Sequence, residues 1–301
     1  MARMKMARTC ETTIAETFEE FVLDKTASGT SSKTLETYKS HMRSLRKWLD
    51  METPTAELTD KQLKLMVANM RESTLSPSSI SSYIRTLKSF LSWCNENDKT
   101  QVNIKLYHAP ETVKETYTDK ELKALLKKPN TKTCGFTEYR NWVIINLLLN
   151  SGCRAATVRA FLVKDVNLDN QTITYRHTKN GKIQIVPLCS TFIPILREYM
   201  RIRKGASNEV LFPNDFGKPM TENALRLAIC KYNKARGVDK TSIHLFRHTF
   251  AQRYLQNGGN SLHLQKILGH STLAMTKHYC NIYDAELVKA FDTVSPLSTL
   301  R

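Results

Sequence analysis

The stretch SIHLFRHTFAQRYLQNGGNSLHLQKILGHSTLAMTKHY, residues 242–279, combines helical patterning with an unusual set of polar side chains. Ile243, Phe246, Phe250 and Tyr254 recur at the spacing of one helix face, which predicts a helix over 243–256. His244 and Arg247, three apart, then project side by side, and His248 lies four from His244. A further helix is expected over 262–268. Gly269 permits a sharp exit from it, placing His270 just past the helix end. Tyr279 follows nine residues later on an expected short helix, 272–280. Tyr283 is one turn further along, so spacing alone leaves two phenols as rivals for one nucleophilic role.

Two more residues upstream complete the set. Arg154 follows SGC, directly after an apolar helix expected over 138–150, where the chain turns from one helix into the next. Lys179 precedes Asn180-Gly181, which separates two alternating runs, VNLDNQTITYRH (166–177) and KIQIVPL (182–188). This is the signature of a β-hairpin with a type I′ turn, and it holds a flexible ammonium near the tip. Each of these residues has an ordinary structural reading when taken singly. The competing reading of His244 and His248 as zinc ligands fails on its own pattern, since Leu245 occupies the place of the glutamate in a metalloprotease helix. No metal site and no cofactor are expected.

Seven cysteines are scattered without a CxxC pair, which suits free thiols in a reducing cytoplasm better than a disulfide framework. The longest apolar run, Trp142 to Leu149, is broken by Asn146 and falls far short of the ~20 residues a membrane span requires. No secretion signal is read at the N-terminus, and no membrane partner is expected. The charge is uneven. Residues 1–109 carry 16 Lys and Arg against 13 Asp and Glu, whereas residues 110–301 carry 29 against 15. A sequence pI near 9.6 with the excess in one region points to a polyanion partner.

The first hundred residues read as four helices. The first runs from about Glu11 to Lys25, with Ile14, Phe18, Phe21 and Val22 along one side. The second carries Leu35, Tyr38, Met42, Leu45 and Leu49. Thr59 with Gln62 forms a capping box for the third. Ser76-Pro77 opens the fourth, which buries Ile80, Tyr83, Leu87, Phe90 and Leu91. The polar stretch Asn95 to Glu115 reads as a connection, and Thr118 with Glu121 caps the next helix, 119–128. Strands follow, then helices from about Ser190, at 221–236, and over the segments named above, with a last one at 285–292. The expected division is a helical domain over 1–100, a linker over 101–116 and a mixed domain over 117–301.

Two arginines can grip the non-bridging oxygens of a phosphodiester and stabilise the charge that builds during attack. A tyrosine has a pKa of ~10, so forming its phenolate at pH 7 costs about 4 kcal/mol, which nearby cations would lower. A neutral histidine can accept the phenol proton, and Lys179 can protonate the departing 5′ oxygen. The resulting phosphotyrosine ester keeps the bond energy, so rejoining needs no ATP.

At these residues the chain resembles the tyrosine recombinase (phage integrase) family over nearly its whole length. SGCRAATVRAF (151–161) resembles the family's first arginine box and TKNGKIQIVPL (178–188) its lysine hairpin. HLFRHTFAQRYLQNGG (244–259) resembles the second box, and LGHSTLAMTKHY (268–279) has its Gly-His to Tyr spacing. The resemblance implies Tyr279 as nucleophile rather than Tyr283, with Arg154, Arg247, Lys179, His244 and His270 around it. It implies a mainly α fold with a small antiparallel sheet, in which a four-helix SAM-like core-binding domain precedes a mixed α+β catalytic domain. It also implies site-specific recombination of double-stranded DNA at inverted core sites, through a 3′-phosphotyrosine and a Holliday junction. A homotetramer would act on two duplexes by exchanging a C-terminal helix, for which Asp284 to Asp292 and the tail SPLSTLR are expected to serve, with accessory DNA-bending proteins as further partners. Thr157 stands where the family usually has an acidic residue. With about ten residues before its first helix, the chain is expected to be a simple recombinase or a form lacking an arm-binding domain. A type IB-like topoisomerase and a catalytically silent DNA-binding regulator are the competing functions.

Overall fold

The computed structural model describes residues 12–107, 109–110, 115–176, 183–270 and 272. The chain divides into two compact units, Met1–Thr112 and Val113–Arg301. Both are mainly helical, and the second also contains a three-stranded antiparallel sheet.

The first unit holds four helices: α1 (Ile14–Ala27), α2 (Ser32–Leu45), α3 (Asp60–Glu72) and α4 (Pro77–Glu96). Their ends are set by side chains that satisfy backbone amides left open by the first turn. Thr13 and Glu16 form a reciprocal capping box, with the Thr13 amide donating to Glu16 at 2.9 Å and the Glu16 amide to Thr13 at 3.2 Å. That cap starts α1 at Ile14, later than the periodicity alone suggests. Thr59 and Gln62 cap α3 in the same way, and Ser76 caps α4 with Pro77 in its first turn. Leu45 ends α2, so Leu49 reaches the core from the turn beyond. Phe21 and Phe90 sit at the centre of the core, their rings edge to face with centroids 5.7 Å apart.

The second unit is built around α6 (Phe136–Ser151), which buries Tyr139, Trp142, Val143, Ile144, Ile145, Leu147 and Leu148. A helix apolar on nearly all sides requires neighbours on nearly all sides. Those neighbours are α5 (Asp119–Leu126), α8 (Ile193–Arg203), α9 (Glu222–Ala235) and α10 (Ile243–Gln256). Thr118 and Glu121 cap α5, and Lys128-Pro129 disfavours helical backbone near the residue 128 to which the sequence pattern extends it. After α6 come the one-turn-and-a-half helix α7 (Ala155–Ala160), unmarked by any periodic pattern, and the strands β1 (Val166–Asn167), β2 (Thr172–Tyr175) and β3 (Gln184–Pro187). The sheet runs in the order β1-β2-β3, with Ile173 opposite Val186 on its buried face. The last described helix is α11 (Ser261–Leu268), which packs Leu264 and Leu268 with Ala251 of α10. The Asn180-Gly181 turn and the helices expected at 272–280 and 285–292 lie outside the described residues.

Candidate active site

Three chain segments converge on Arg247. The α10 helix carries this residue on its buried side, only 6% exposed, and its guanidinium reaches two loop ends. Nη1 donates to the carbonyl of Gly152 at 2.9 Å, at the end of α6. Nη2 donates to the carbonyl of Leu268 at 3.0 Å, at the end of α11. The same nitrogen lies 2.8 Å from His270 Nε2. One side chain therefore ties together the first arginine segment, the HxxR helix and the Gly-His segment.

Backbone geometry explains the glycines in two of those segments. Gly152 ends α6 with φ +58°, a left-handed conformation that side chains other than glycine adopt at a cost. A β-carbon there would also sit 2.4 Å from Phe250 Cδ1 and 2.8 Å from Leu268 Cδ2. Close approach of α10 and α11 thus depends on the missing side chain. Gly269 ends α11 with φ +64°. The His270 amide then donates back to the Gln265 carbonyl at 3.1 Å, and Gln265 Nε2 donates to the His270 carbonyl at 3.2 Å. This close of the helix turns the imidazole onto Arg247.

A guanidinium has donors and no acceptor, so the 2.8 Å contact makes His270 Nε2 the acceptor and places the imidazole proton on Nδ1. The electrostatics agree. Burial first, then the charges of Arg247 and Arg154, push the His270 pKa down to about 4, so the ring is neutral near pH 7. The Arg154 charge is the third and smallest of these causes, and it acts on the same imidazole. Arg154 stands at the N-cap of α7, half-buried, and among the described residues its side chain makes no hydrogen bond or salt bridge. His244 lies one turn before Arg247 on α10 and is exposed. Lys179 and Tyr279 lie outside the described residues. Thr157, at the position where the resemblance leads one to expect an acid, is buried on α7.

Two supporting residues escape a reading of the sequence. Gln184 of β3 donates to the carbonyls of Lys266 and Ile267, holding the end of α11 from which His270 emerges. Its signal was present but easy to misread: in KIQIVPL it is the glutamine that faces inward, while Ile183 and Ile185 are 66% and 67% exposed. Cys153 is the second. Its side chain is buried, and burial pushes the thiol pKa up to about 11 against the smaller opposing effects of Ser151, the Arg247 charge and Tyr175, so it remains a neutral packing group. Among the described residues no cluster of His, Cys, Asp and Glu could hold a metal ion. The Arg247 guanidinium and a neutral imidazole with its proton on Nδ1, with the Arg154 charge acting on that ring, are donors of the type that can stabilise a phosphoryl oxyanion.

Comparison with known proteins agrees with this chemistry. The sequence profile described as the phage integrase family matches residues 115–286, and that of the phage integrase N-terminal SAM-like domain matches residues 18–115. A tyrosine recombinase XerC of Xanthomonas campestris is 25% identical, covering 88% of this chain and 84% of its own. A tyrosine recombinase XerD of Staphylococcus epidermidis is 26% identical, covering 94% and 99% respectively. In fold, the chain is similar to the Tn1549 transposon integrase solved with transposon right-end DNA, with a TM-score of 0.77, 20% identity and coverage of 94% of this chain and all of that one. The chain belongs to the phage integrase family and is a tyrosine recombinase, an enzyme of DNA strand exchange.

Proposed function

We propose that this chain is a site-specific recombinase that cuts and rejoins duplex DNA through a 3′-phosphotyrosine on Tyr279. The observation that carries the reading is the convergence on Arg247 of the Gly152 loop, the α11 end and His270, with the Arg154 charge acting on the same imidazole. Arg154 and Arg247 bind the non-bridging oxygens of the scissile phosphate. His270 donates through Nδ1, because its Nε2 already accepts from Arg247. Proton acceptance from Tyr279 then falls to His244, one turn away on α10. The Tyr279 oxygen attacks phosphorus, the P–O5′ bond breaks, and Lys179 gives its proton to the leaving oxygen. A 5′ hydroxyl from the second duplex reverses these steps and expels the tyrosine, passing through a Holliday junction.

In this reading residues 1–100 form the core-binding domain, 101–116 the linker and 117–301 the catalytic domain, acting in the cytoplasm on the nucleoid. Four copies assemble on two duplexes with inverted core sites and exchange the segment Asp284 to Asp292, with accessory bending proteins aiding synapsis. Residues 110–301 carry 29 basic against 15 acidic side chains, which favours a polyanionic substrate.

The test is a nicked duplex bearing the attachment site of the element that encodes the protein, incubated in EDTA without ATP. A covalent protein–DNA adduct is expected, along with exchange into a second duplex. Relaxation of plasmids lacking any such site would instead make the chain a topoisomerase. Tight binding with no adduct would make it a regulator.

A further inference from the structure

The strand β2 is paired on both sides at its start and on one side only at its end. Among the described residues, β1 pairs with β2 at Thr172 and Ile173 alone, whereas β3 pairs along Thr172–Tyr175, with Tyr175 opposite Gln184. One residue past that ladder, Arg176 supplies a tie of another kind. Its Nε donates to Oδ1 of Asp165, whose Oδ2 accepts from the Leu162 amide at 2.9 Å. Asp165 is 2% exposed, so its carboxylate depends on these donors. Burying an ion pair adds little stability over apolar packing. What it adds here is a directed link.

The Asp165 end of that link is rigid. Asp165 closes the 3₁₀ turn Val163–Asp165 that follows α7, and its own amide donates to the Leu162 carbonyl at 3.0 Å. A neighbouring segment fixes the turn from outside. The amides of Val163 and Lys164 donate to the carbonyls of Glu209 and Ser207 at 2.9 and 3.0 Å, and the Leu211 amide donates to that of Phe161 at 2.7 Å. The Phe161 ring stands edge-on to Tyr175, with centroids 5.2 Å apart. Since Arg154 is the N-cap of α7, Asp165 joins the end of β2 to the segment that Arg154 opens. The partner strand is tied separately, through Gln184 to the α11 end from which His270 emerges. Lys179 is three residues beyond Arg176, a length of chain that spans at most about 10 Å. Where Arg176 is held therefore limits where the Lys179 ammonium can be delivered.

We propose that Asp165 and Arg176 are positioning residues for Lys179, holding the end of β2 so that the ammonium meets the 5′ oxygen as the P–O5′ bond breaks. The proton passes from Lys179 to that oxygen, leaving an amine and a 5′ hydroxyl, and neither member of the pair exchanges a proton. The proposal rests on the reading of Lys179 as proton donor and adds what directs it.

The test is single-turnover adduct formation by the full chain on two nicked duplexes, one with the ordinary bridging 5′ oxygen and one with sulfur in its place. A thiol has a pKa of about 8.5, far below that of an alcohol, so sulfur departs without a donated proton. On the oxygen duplex Arg176→Gln and Asp165→Asn should slow cleavage roughly tenfold, and Lys179→Ala by a factor on the order of 10². On the sulfur duplex all three should match the parent, because no general acid is called on. Arg176→Lys, which keeps a cation able to reach the carboxylate, should recover part of the oxygen rate. Arg176→Gln leaves the Leu162 cap intact and still offers Asp165 an amide donor, so it covers the case of a misfolded Asp165→Asn. Equal slowing on both duplexes overturns the proposal, marking the pair as structural support or Arg176 as a phosphate contact. An unchanged oxygen rate in both variants overturns it too. Lys179→Ala separates the two readings. If sulfur fails to rescue it, the proton-donor assignment falls and the positioning role with it. If sulfur rescues it but neither variant of the pair, only the positioning role falls.

Discussion

At Arg247 a single guanidinium bridges the carbonyls of Gly152 and Leu268 and engages His270, so its replacement disturbs both charge and geometry. Arg247→Ala should reduce the rate of adduct formation by a factor on the order of 10²–10³, measured in single turnover. Arg247→Lys should recover little, because an ammonium cannot span the same acceptors as a planar fork. His270 carries a second prediction, in stability. Its pKa lies near 4 in the folded chain against an ordinary 6.5, so between these values the unfolded chain binds more protons. The stabilisation from keeping His270 neutral is complete above pH 6.5 and is lost as pH falls toward 4. Thermal melts from pH 7 to 4.5 should therefore fall less steeply for His270→Gln than for the parent. Residues of this kind were legible because their spacing is short and rigid: three positions put His244 beside Arg247, and a glycine put His270 past a helix end. What spacing could not convey was the tautomer of His270, which depends on a contact 23 residues away.

Elements carry the site through two close approaches. Gly152→Ala would place a methyl group against Phe250 and Leu268 in a left-handed backbone position, so a loss of roughly 1–3 kcal/mol is expected in urea unfolding. Adduct formation should fall by more than that loss explains, because the Arg247 acceptor moves with it. Gln184→Leu keeps the strand and its volume but removes two bonds to the α11 end. Its adduct rate should drop severalfold with little change in melting temperature, and an unchanged rate would remove Gln184 from the site. The caps at Thr59, Ser76 and Thr118 were readable from sequence because each depends on residues within one turn. The strand β3 was readable as a strand, but its buried side was not. Its alternation places isoleucines outward, since Gln184 is needed inward at α11 and Val186 alone fills the core opposite Ile173. The helix α7 carried no signal of its own, because six residues are too few to show a period.

For the whole molecule, the uneven charge predicts how binding responds to salt. The slope of log affinity against log salt should approach one unit for each phosphate contacted, and a flat response would argue against a DNA substrate. The two-unit division follows from chain length and from two separate apolar cores. The convergence that defines the site is longer in range, joining Gly152, Arg247 and Leu268 over more than a hundred residues, and no local pattern announces it. The measurement that tests the account most directly is identification of the residue that carries the DNA. Adduct trapped on a nicked duplex is digested with nuclease and trypsin, and the peptide spanning residues 278–289, which holds both Tyr279 and Tyr283, is sequenced by tandem mass spectrometry. The account predicts phosphate on Tyr279 and an unmodified Tyr283, with no modified peptide from Arg247→Ala at the same time point. Phosphate on Tyr283, or on any residue outside this peptide, would contradict it.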